Sequence, residues 1–194
     1  DFIETVNDKV GVFIGDISGK GVSAALYMAK IISDFRFIAN QIESPAVVLS
    51  RLNVHLSKAP RGMFLTAVYM IIDTVTGDAQ VSNAGHPPFL LISKGDVNVM
   101  SVLSGPPIGI IPVDYSTSTI SLNEGDRLIL LTDGVFDAKD KHGNRLGFDN
   151  FVMFVKEHVN EDNLIGSISD FVSRFSRGTE RADDLTIVEI KRGA

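Results

Sequence analysis

The sequence predicts an α+β layered sandwich, with helices grouped at both ends of the chain around a run of consecutive strands. Two observations predict it. Between residues 64 and 131, short apolar or alternating segments follow one another at hairpin spacing, which implies antiparallel sheets and not βαβ units. Longer stretches with helical periodicity stand before that run, at 22–40 and 45–57, and after it, at 148–159 and 163–175.

Taken in order, Val10-Gly11-Val12-Phe13-Ile14 is a short apolar run closed by Gly15-Asp16, the pattern of a buried strand meeting a turn. A domain rarely opens so abruptly into a strand, so the natural sequence is expected to extend upstream. Residues 22–40 carry apolar side chains nearly all round (Leu26, Met28, Ile31, Ile32, Phe35, Ile38), with no Pro and with Ala24, Ala25 and Ala29 favouring helix. This predicts a mostly buried helix. Ser44-Pro45, a cap residue followed by Pro at the first helical position, opens a second helix running to about Ser57. Strands follow at 64–73, 79–83, 89–92, 97–102, 116–121 and 127–131, with Thr76-Gly77-Asp78 as the turn between the first two. Two amphipathic helices precede a final strand at 185–190. No internal repeat, low-complexity tract or Pro/Ser-rich linker marks a boundary, so residues 1–194 are expected to form a single domain.

Composition narrows the function. A chain of 194 residues, 44% hydrophobic, can bury one sizeable core. A net charge of −6 and a pI near 5.1 argue against a binder of phosphate backbones, so nucleic acid is excluded as a partner. With no cysteine, a disulfide framework and a thiolate metal site are both impossible, and a bound metal must take oxygen or imidazole ligands. Magnesium and manganese suit such ligands. No apolar run reaches the roughly 18 residues needed to span a bilayer, and Asp1-Phe2-Ile3-Glu4 lacks the regions of a secretory signal. A cytoplasmic protein is expected.

Three acidic positions stand where an apolar strand meets a turn: Asp16 after Val12-Phe13-Ile14-Gly15, Asp133 after 128–132, and Asp183 with Asp184 before Leu185-Thr186-Ile187. Strand ends fix a side chain from behind while leaving it open in front, so such carboxylates can converge. Convergent carboxylates repel unless a cation sits among them. Each signal alone is an ordinary turn or cap; the conjunction points to a metal site.

The string Gly15-Asp16-Ile17-Ser18-Gly19-Lys20-Gly21 followed by Val22-Ser23-Ala24-Ala25-Leu26, then Asn83-Ala84-Gly85-His86-Pro87-Pro88, Thr132-Asp133-Gly134-Val135 and Asp183-Asp184-Leu185-Thr186, resembles the PPM phosphatases, specifically their sporulation-phosphatase (SpoIIE-type) branch. Phe64-Leu65-Thr66-Ala67, Gly105-Pro106-Pro107-Ile108-Gly109 and Gly147-Phe148 fall in the same order as in that family. The resemblance covers essentially the whole chain. It implies an αββα four-layer sandwich, two mainly antiparallel sheets flanked by helices, with two Mn2+ or Mg2+ ions at one edge. It also implies roles: Asp16 bridges both ions, Asp133 and Asp183 bind one, the Ile17 backbone carbonyl binds the other, and Asp184 orients its surroundings. Two cations about 3.5–4 Å apart would activate a shared water for in-line attack on a seryl or threonyl phosphoester. The implied substrate is a phosphorylated regulatory protein, such as an anti-sigma-factor antagonist, and the implied context a sensor or regulatory domain upstream.

The sequence departs from the family at several points. The family's further carboxylate, from a Gly-Asp motif on the preceding strand, is either represented by Asp1 or lies upstream of residue 1, which the short spacing to Asp16 favours. Eukaryotic relatives carry a histidine where Ser18 stands, and a serine cannot act as an acid near neutral pH. No arginine visibly replaces the family's phosphate-binding one. His86 is open to two readings, an acid/base or metal group, or a residue locking a tight Gly-Pro turn, and the second is preferred. Gly19, Lys20 and Gly21 lack Walker spacing and are read as the lead-in to the helix, which in this branch resembles a regulatory switch. The Lys- and Asp-rich segment 137–145 is read as a solvated loop. The competing function is a catalytically weak regulatory or partner-binding module that keeps the fold; a cation-binding protein without hydrolase activity ranks third, since no calcium-loop pattern is present.

Overall fold

The computed structural model describes residues 1–4, 8–56, 62–179 and 184–193. In chain order its elements are β1 (Phe2–Glu4), β2 (Lys9–Ile17), α1 (Val22–Ala39), α2 (Pro45–Leu56), β3 (Leu65–Asp73), β4 (Asp78–Ala84), β5 (Phe89–Ser93), β6 (Asp96–Met100), β7 (Ser104–Gly105), β8 (Ser118–Ser121), β9 (Arg127–Leu131), α3 (Phe148–Glu157), α4 (Leu164–Phe175) and β10 (Ile187–Lys191). They fall into two compact units, Asp1–His86 with Val102–Leu122 and Pro87–Ser101 with Asn123–Ala194. Each unit has one sheet and two helices, the α+β composition the sequence predicts.

In the first unit the strand order is β1-β2-β3-β4-β7, with β8 also pairing β4. All neighbours are antiparallel except β4 and β7. The spine is β2 against β3, paired without a bulge from Lys9↔Asp73 to Ile17↔Leu65. Both strands are apolar on both faces, and β-branched residues suit such a doubly buried position. One face, with Phe13, Ala67, Tyr69 and Ile71, forms a core with Ile31 and Phe35 of α1 and Leu49 and Leu52 of α2. Phe13 stacks on Phe35 at 4.0 Å, and Phe35 meets Tyr69 edge-on at 5.0 Å. Gly11 makes room for this: a Cβ there would lie 2.8 Å from the Tyr69 hydroxyl oxygen.

Helix α1 differs from the mostly buried helix its sequence suggests. The buried residues are the stripe Tyr27, Ile31, Phe35 and Ile38 with Ala39 at the end, while Val22, Leu26, Met28 and Phe37 are exposed. A helix laid on one sheet face buries a single stripe whatever its remaining composition, so an all-round apolar pattern overstates its burial. Helix α2 starts at Pro45 as predicted, and it carries the segment after β7. Asn53, buried, accepts from Gly109 N at 2.9 Å and donates to Ile111 O at 2.9 Å, while Ser50 Oγ accepts from Tyr115 N at 3.0 Å. This explains Gly105-Pro106-Pro107-Ile108-Gly109 as a framework segment. The two-residue β7 has no strand pattern, and the predicted 97–102 strand ends at Met100.

The second unit's sheet runs β10-β9-β5-β6, antiparallel throughout. Leu90, Ile129 and Leu131 form its core with Phe151 and Val155 of α3 and Ile168 and Val172 of α4. Arg127 ion-pairs with Glu189 across the sheet and donates through Nη1 to Val159 O at 3.0 Å, tying the end of α3 to the strands.

The Tyr69 hydroxyl is fully buried and has no hydrogen-bond partner among the described residues. Burial pushes its pKa from 10.0 to about 12. The folded state therefore holds this proton after the unfolded chain has lost it, so Tyr69 makes stability fall as pH rises from about 10 to about 12. Tyr69→Phe removes an unsatisfied polar atom; urea unfolding at pH 7 is expected to show no loss, and a gain of up to about 1 kcal/mol, with a shallower alkaline decline. A destabilisation above about 1 kcal/mol at pH 7 would show that the hydroxyl has a partner.

Candidate metal centre

Asp16 is the penultimate residue of β2, held opposite Thr66 at the end of the β2–β3 ladder. Gly15 before it has no alternative residue: a Cβ there would stand 2.8 Å from Thr66 O and 2.9 Å from Leu65 Cδ1. Leu65 spends its own N–H and C=O on Ile108, at 3.0 and 2.8 Å. Ile17 and Leu65 are therefore a non-hydrogen-bonded pair, and the Ile17 carbonyl points away from β3, toward the β1 side. By strand alternation Asp16 shares a face with Val12 and Ile14, opposite the face that carries Phe13.

Ser18 extends the ladder past its last pair. Its N–H donates to Phe64 O at 2.9 Å, and its Oγ accepts from Phe64 N at 2.8 Å and donates to Gly62 O at 3.2 Å. The hydroxyl is thus a structural staple. Gly19 and Gly21 follow with φ of 111° and 80°, left-handed turns that lead directly into α1 at Val22.

Thr66, opposite Asp16 in the ladder, is in contact with a histidine. His86 is buried, and its Nδ1 lies 3.0 Å from Thr66 Oγ1. The sequence suggests an imidazole that locks its own Gly-Pro turn through the backbone. The geometry reverses this: Asn83 supplies the turn bonds, accepting from His86 N at 2.8 Å and donating to His86 O at 3.0 Å, while the imidazole reaches another strand. The missed signal was the Asn three residues before the His, a spacing that lets its side chain close a turn onto the later N–H.

In the second unit Asp133 opens a single 3-10 turn, Asp133–Val135, immediately beyond β9. Its carbonyl accepts from Phe136 N at 3.1 Å and Asp137 N at 2.8 Å, and its Oδ1 is buried. Thr132 and Thr186 continue the β9–β10 pairing past its last strand residue: Thr132 N donates to Thr186 O at 3.1 Å, and Thr186 N donates to Thr132 Oγ1 at 3.1 Å. Asp184, two residues before Thr186, is exposed, and Asp183 lies outside the described residues. Segment 137–145 forms a small bridged loop with Lys139 opposite Arg145, closed by an Arg145 Nη1 bond to Asp137 at 2.9 Å. Among the described residues, no group of three or more His, Asp or Glu side chains stands close enough to hold a metal.

Asp1 is not brought to Asp16. Phe2 pairs with Val12, so Asp1 stands opposite Phe13, and the two exchange main-chain bonds of 2.7 and 2.9 Å. This puts its side chain on the helix-covered face. There Arg36 of α1 grips it, Nε to Oδ2 at 2.7 Å and Nη2 to Oδ1 at 2.8 Å. The expectation that Asp1 ligates a metal conflicts with the parity of strand pairing, since one residue's offset moves a side chain to the other face.

A model of the family of stage II sporulation protein E (SpoIIE) matches residues 7–193. The phosphoserine phosphatase RsbP of Bacillus subtilis is 32% identical over 135 residues, 66% of this chain, and the chain spans only 34% of that protein's length. Among solved structures, the PP2C phosphatase domain of SpoIIE from Bacillus subtilis superposes with a TM-score of 0.80 at 22% identity, over 98% of this chain and 57% of that one. RsbX, solved in complex with magnesium, superposes with a TM-score of 0.68 at 20% identity, over 97% of this chain and 83% of that one. The chain thus has the PP2C-type fold.

The Asp1 geometry makes a separable prediction. Because Arg36 is 59% exposed, solvent screens the pair, and Asp1→Asn should lower stability by no more than about 1 kcal/mol in urea unfolding. Manganese affinity measured by calorimetry should not change; a tenfold weakening would restore Asp1 to the ligand set.

Proposed function

The chain belongs to the stage II sporulation protein E (SpoIIE) family, and from that premise we propose that it is a metal-dependent protein serine/threonine phosphatase. Its substrate in this reading is a phosphoserine or phosphothreonine on a small regulatory protein, such as an anti-sigma-factor antagonist. The observation that carries the reading is the family match over residues 7–193, with an aspartate at three of the positions the family pattern uses for metal, Asp16, Asp133 and Asp183. RsbP, named a phosphoserine phosphatase, supports the substrate class.

In this reading Asp16, Asp133, Asp183 and the backbone carbonyl of Ile17 would hold two divalent ions. Every donor is oxygen, which fits Mn2+ or Mg2+, and no thiolate competes because the chain has no cysteine. When bound, such ions supply an activated water and neutralise charge on the phosphoryl oxygens. The chain's own contribution is preorganisation. Asp16 is fixed by an unbroken ladder with Ser18 stapling its far side, and Asp133 by the Thr132–Thr186 pairing behind it. Groups held this way need no reorganisation as charge develops. No side-chain nucleophile is required, and the Ser18 hydroxyl is committed to Phe64 and Gly62.

We read residues 1–194 as one catalytic domain, since the chain passes between its two units three times. The partners in this reading are the phosphorylated substrate and an upstream regulatory or sensor domain, in the cytoplasm. Among the described residues, no helix is long and apolar enough to cross a membrane.

The test is hydrolysis of a chromogenic phosphate ester and of a phosphoserine peptide, with Mn2+ and with chelator, for the wild type and Asp133→Asn. Turnover should require the cation and fall by roughly 10²–10³-fold in the variant, the scale for losing one group that stabilises transition-state charge. Equal rates in all arms would leave the partner-binding module as the better account.

A further inference from the structure

We propose that His86 is a positioning residue for Asp16, acting through the hydroxyl of Thr66. The inference rests on the reading of Asp16 as a metal ligand.

The first link is register. Asp16 and Thr66 are directly opposed in the β2–β3 ladder, so their side chains project from the same face with Cβ atoms about 5 Å apart. The second link is the 3.0 Å contact between Thr66 Oγ1 and His86 Nδ1. A threonine hydroxyl has one proton and can turn it toward either neighbour. If Nδ1 carries the imidazole proton and donates to Oγ1, the Thr66 O–H is left to point at the carboxylate beside it. His86 thereby sets which way the hydroxyl faces, and the hydroxyl sets the orientation of the Asp16 carboxylate.

The third link is the effort spent on holding the imidazole. His86 is 6% exposed and Asn83 4%, and Asn83 clamps both main-chain groups of His86. Asn83 Oδ1 also accepts from Ser104 Oγ at 3.1 Å, and that oxygen accepts from Gly85 N at 3.1 Å. Gly85, at φ 71°, has Pro107 Cγ 2.7 Å from where a Cβ would be, so the turn cannot shift toward Pro107. A buried polar group is costly unless it is hydrogen-bonded, and bonds to both main-chain groups and to Nδ1 hold the residue in one arrangement. A plain turn would need Asn83 alone; the link from the imidazole to the strand beside Asp16 is what the turn does not require.

The proposal separates the two ring nitrogens, and that makes it testable. The side-chain amide of Asn reaches where Nδ1 lies, and that of Gln where Nε2 lies. Mn2+ affinity is measured by calorimetry on the intact protein, alongside kcat against Mn2+ concentration and the thermal midpoint of each variant. His86→Gln and Thr66→Val should weaken Mn2+ binding about 10–100-fold, the range for groups that orient metal ligands, with kcat recovering at saturating Mn2+. His86→Asn and Thr66→Ser should stay within about threefold of the wild type. Retention in His86→Gln with loss in His86→Asn would overturn the proposal, because the working atom would be Nε2. Unchanged affinity in all four variants would overturn it as well, while leaving the phosphatase reading intact. A wild type that binds no Mn2+ would remove both.

Discussion

The uninterrupted β2–β3 ladder is the constraint on which the first unit depends. From Lys9↔Asp73 to Ile17↔Leu65 there is no bulge, so strand parity alone decides which side chains meet the helices and which do not. Phe13 and Tyr69 go to α1 and α2; Asp16 and Thr66 go to the other face at the ladder's end. Had the pairing slipped by one residue, Asp16 would sit under a helix and Phe13 on the opposite face. The glycines protect this register. Gly11 and Gly15 sit where a side chain would strike Tyr69 or the β3 backbone, so the two strands can remain closely paired beneath an aromatic cluster.

The second unit solves the same problem with hydroxyls. Beyond Leu131 the ladder would end, yet Thr132 and Thr186 add two further bonds, one through a side chain, and the turn that displays Asp133 is anchored to them. In both units an acidic residue stands just at the limit of regular pairing, supported by a Ser or Thr that mimics one more rung. A carboxylate so placed keeps the rigidity of a strand and the openness of a turn.

Much of this was legible in the sequence because it follows from local pattern. The apolar runs at β2, β3 and β9, the Ser44-Pro45 start of α2, and the amphipathic α3 and α4 all read correctly, since each carries its own period or cap. What was hidden depended on distant partners. The all-round apolar α1 could not reveal that only the Tyr27, Ile31, Phe35 and Ile38 stripe meets a sheet. Asp1 looked like a possible ligand until the Phe2↔Val12 register assigned it to the Arg36 side. The turn role of Asn83-Ala84-Gly85-His86 was legible, but the direction of its imidazole was not, because Thr66 is twenty residues away in sequence and adjacent only through the sheet. The two-residue β7 has no sequence signal, being too short to show alternation.

The hydroxyls around the candidate aspartates bear on the kind of chemistry the fold can support. Ser18 is bonded to Phe64 and Gly62, Ser104 to Asn83, Gly85 and Gly105, Thr132 to Thr186, and Thr66 to His86. Each is spent on holding backbone or another side chain; Thr66 alone of these meets an imidazole, and in the proposed arrangement its oxygen accepts from His86 Nδ1, so that nitrogen does not act on it as a base. The chain has no cysteine to take that role. The ligand set proposed at the strand ends is carboxylate and carbonyl oxygen, donors that would act by charge and position. Such a set is chemically idle toward a phosphoester by itself, because anions repel anions. In the proposed reading cations would offset that repulsion, the hydroxyls supplying rigidity and the strand-end carboxylates holding the positive charge on which hydrolysis depends.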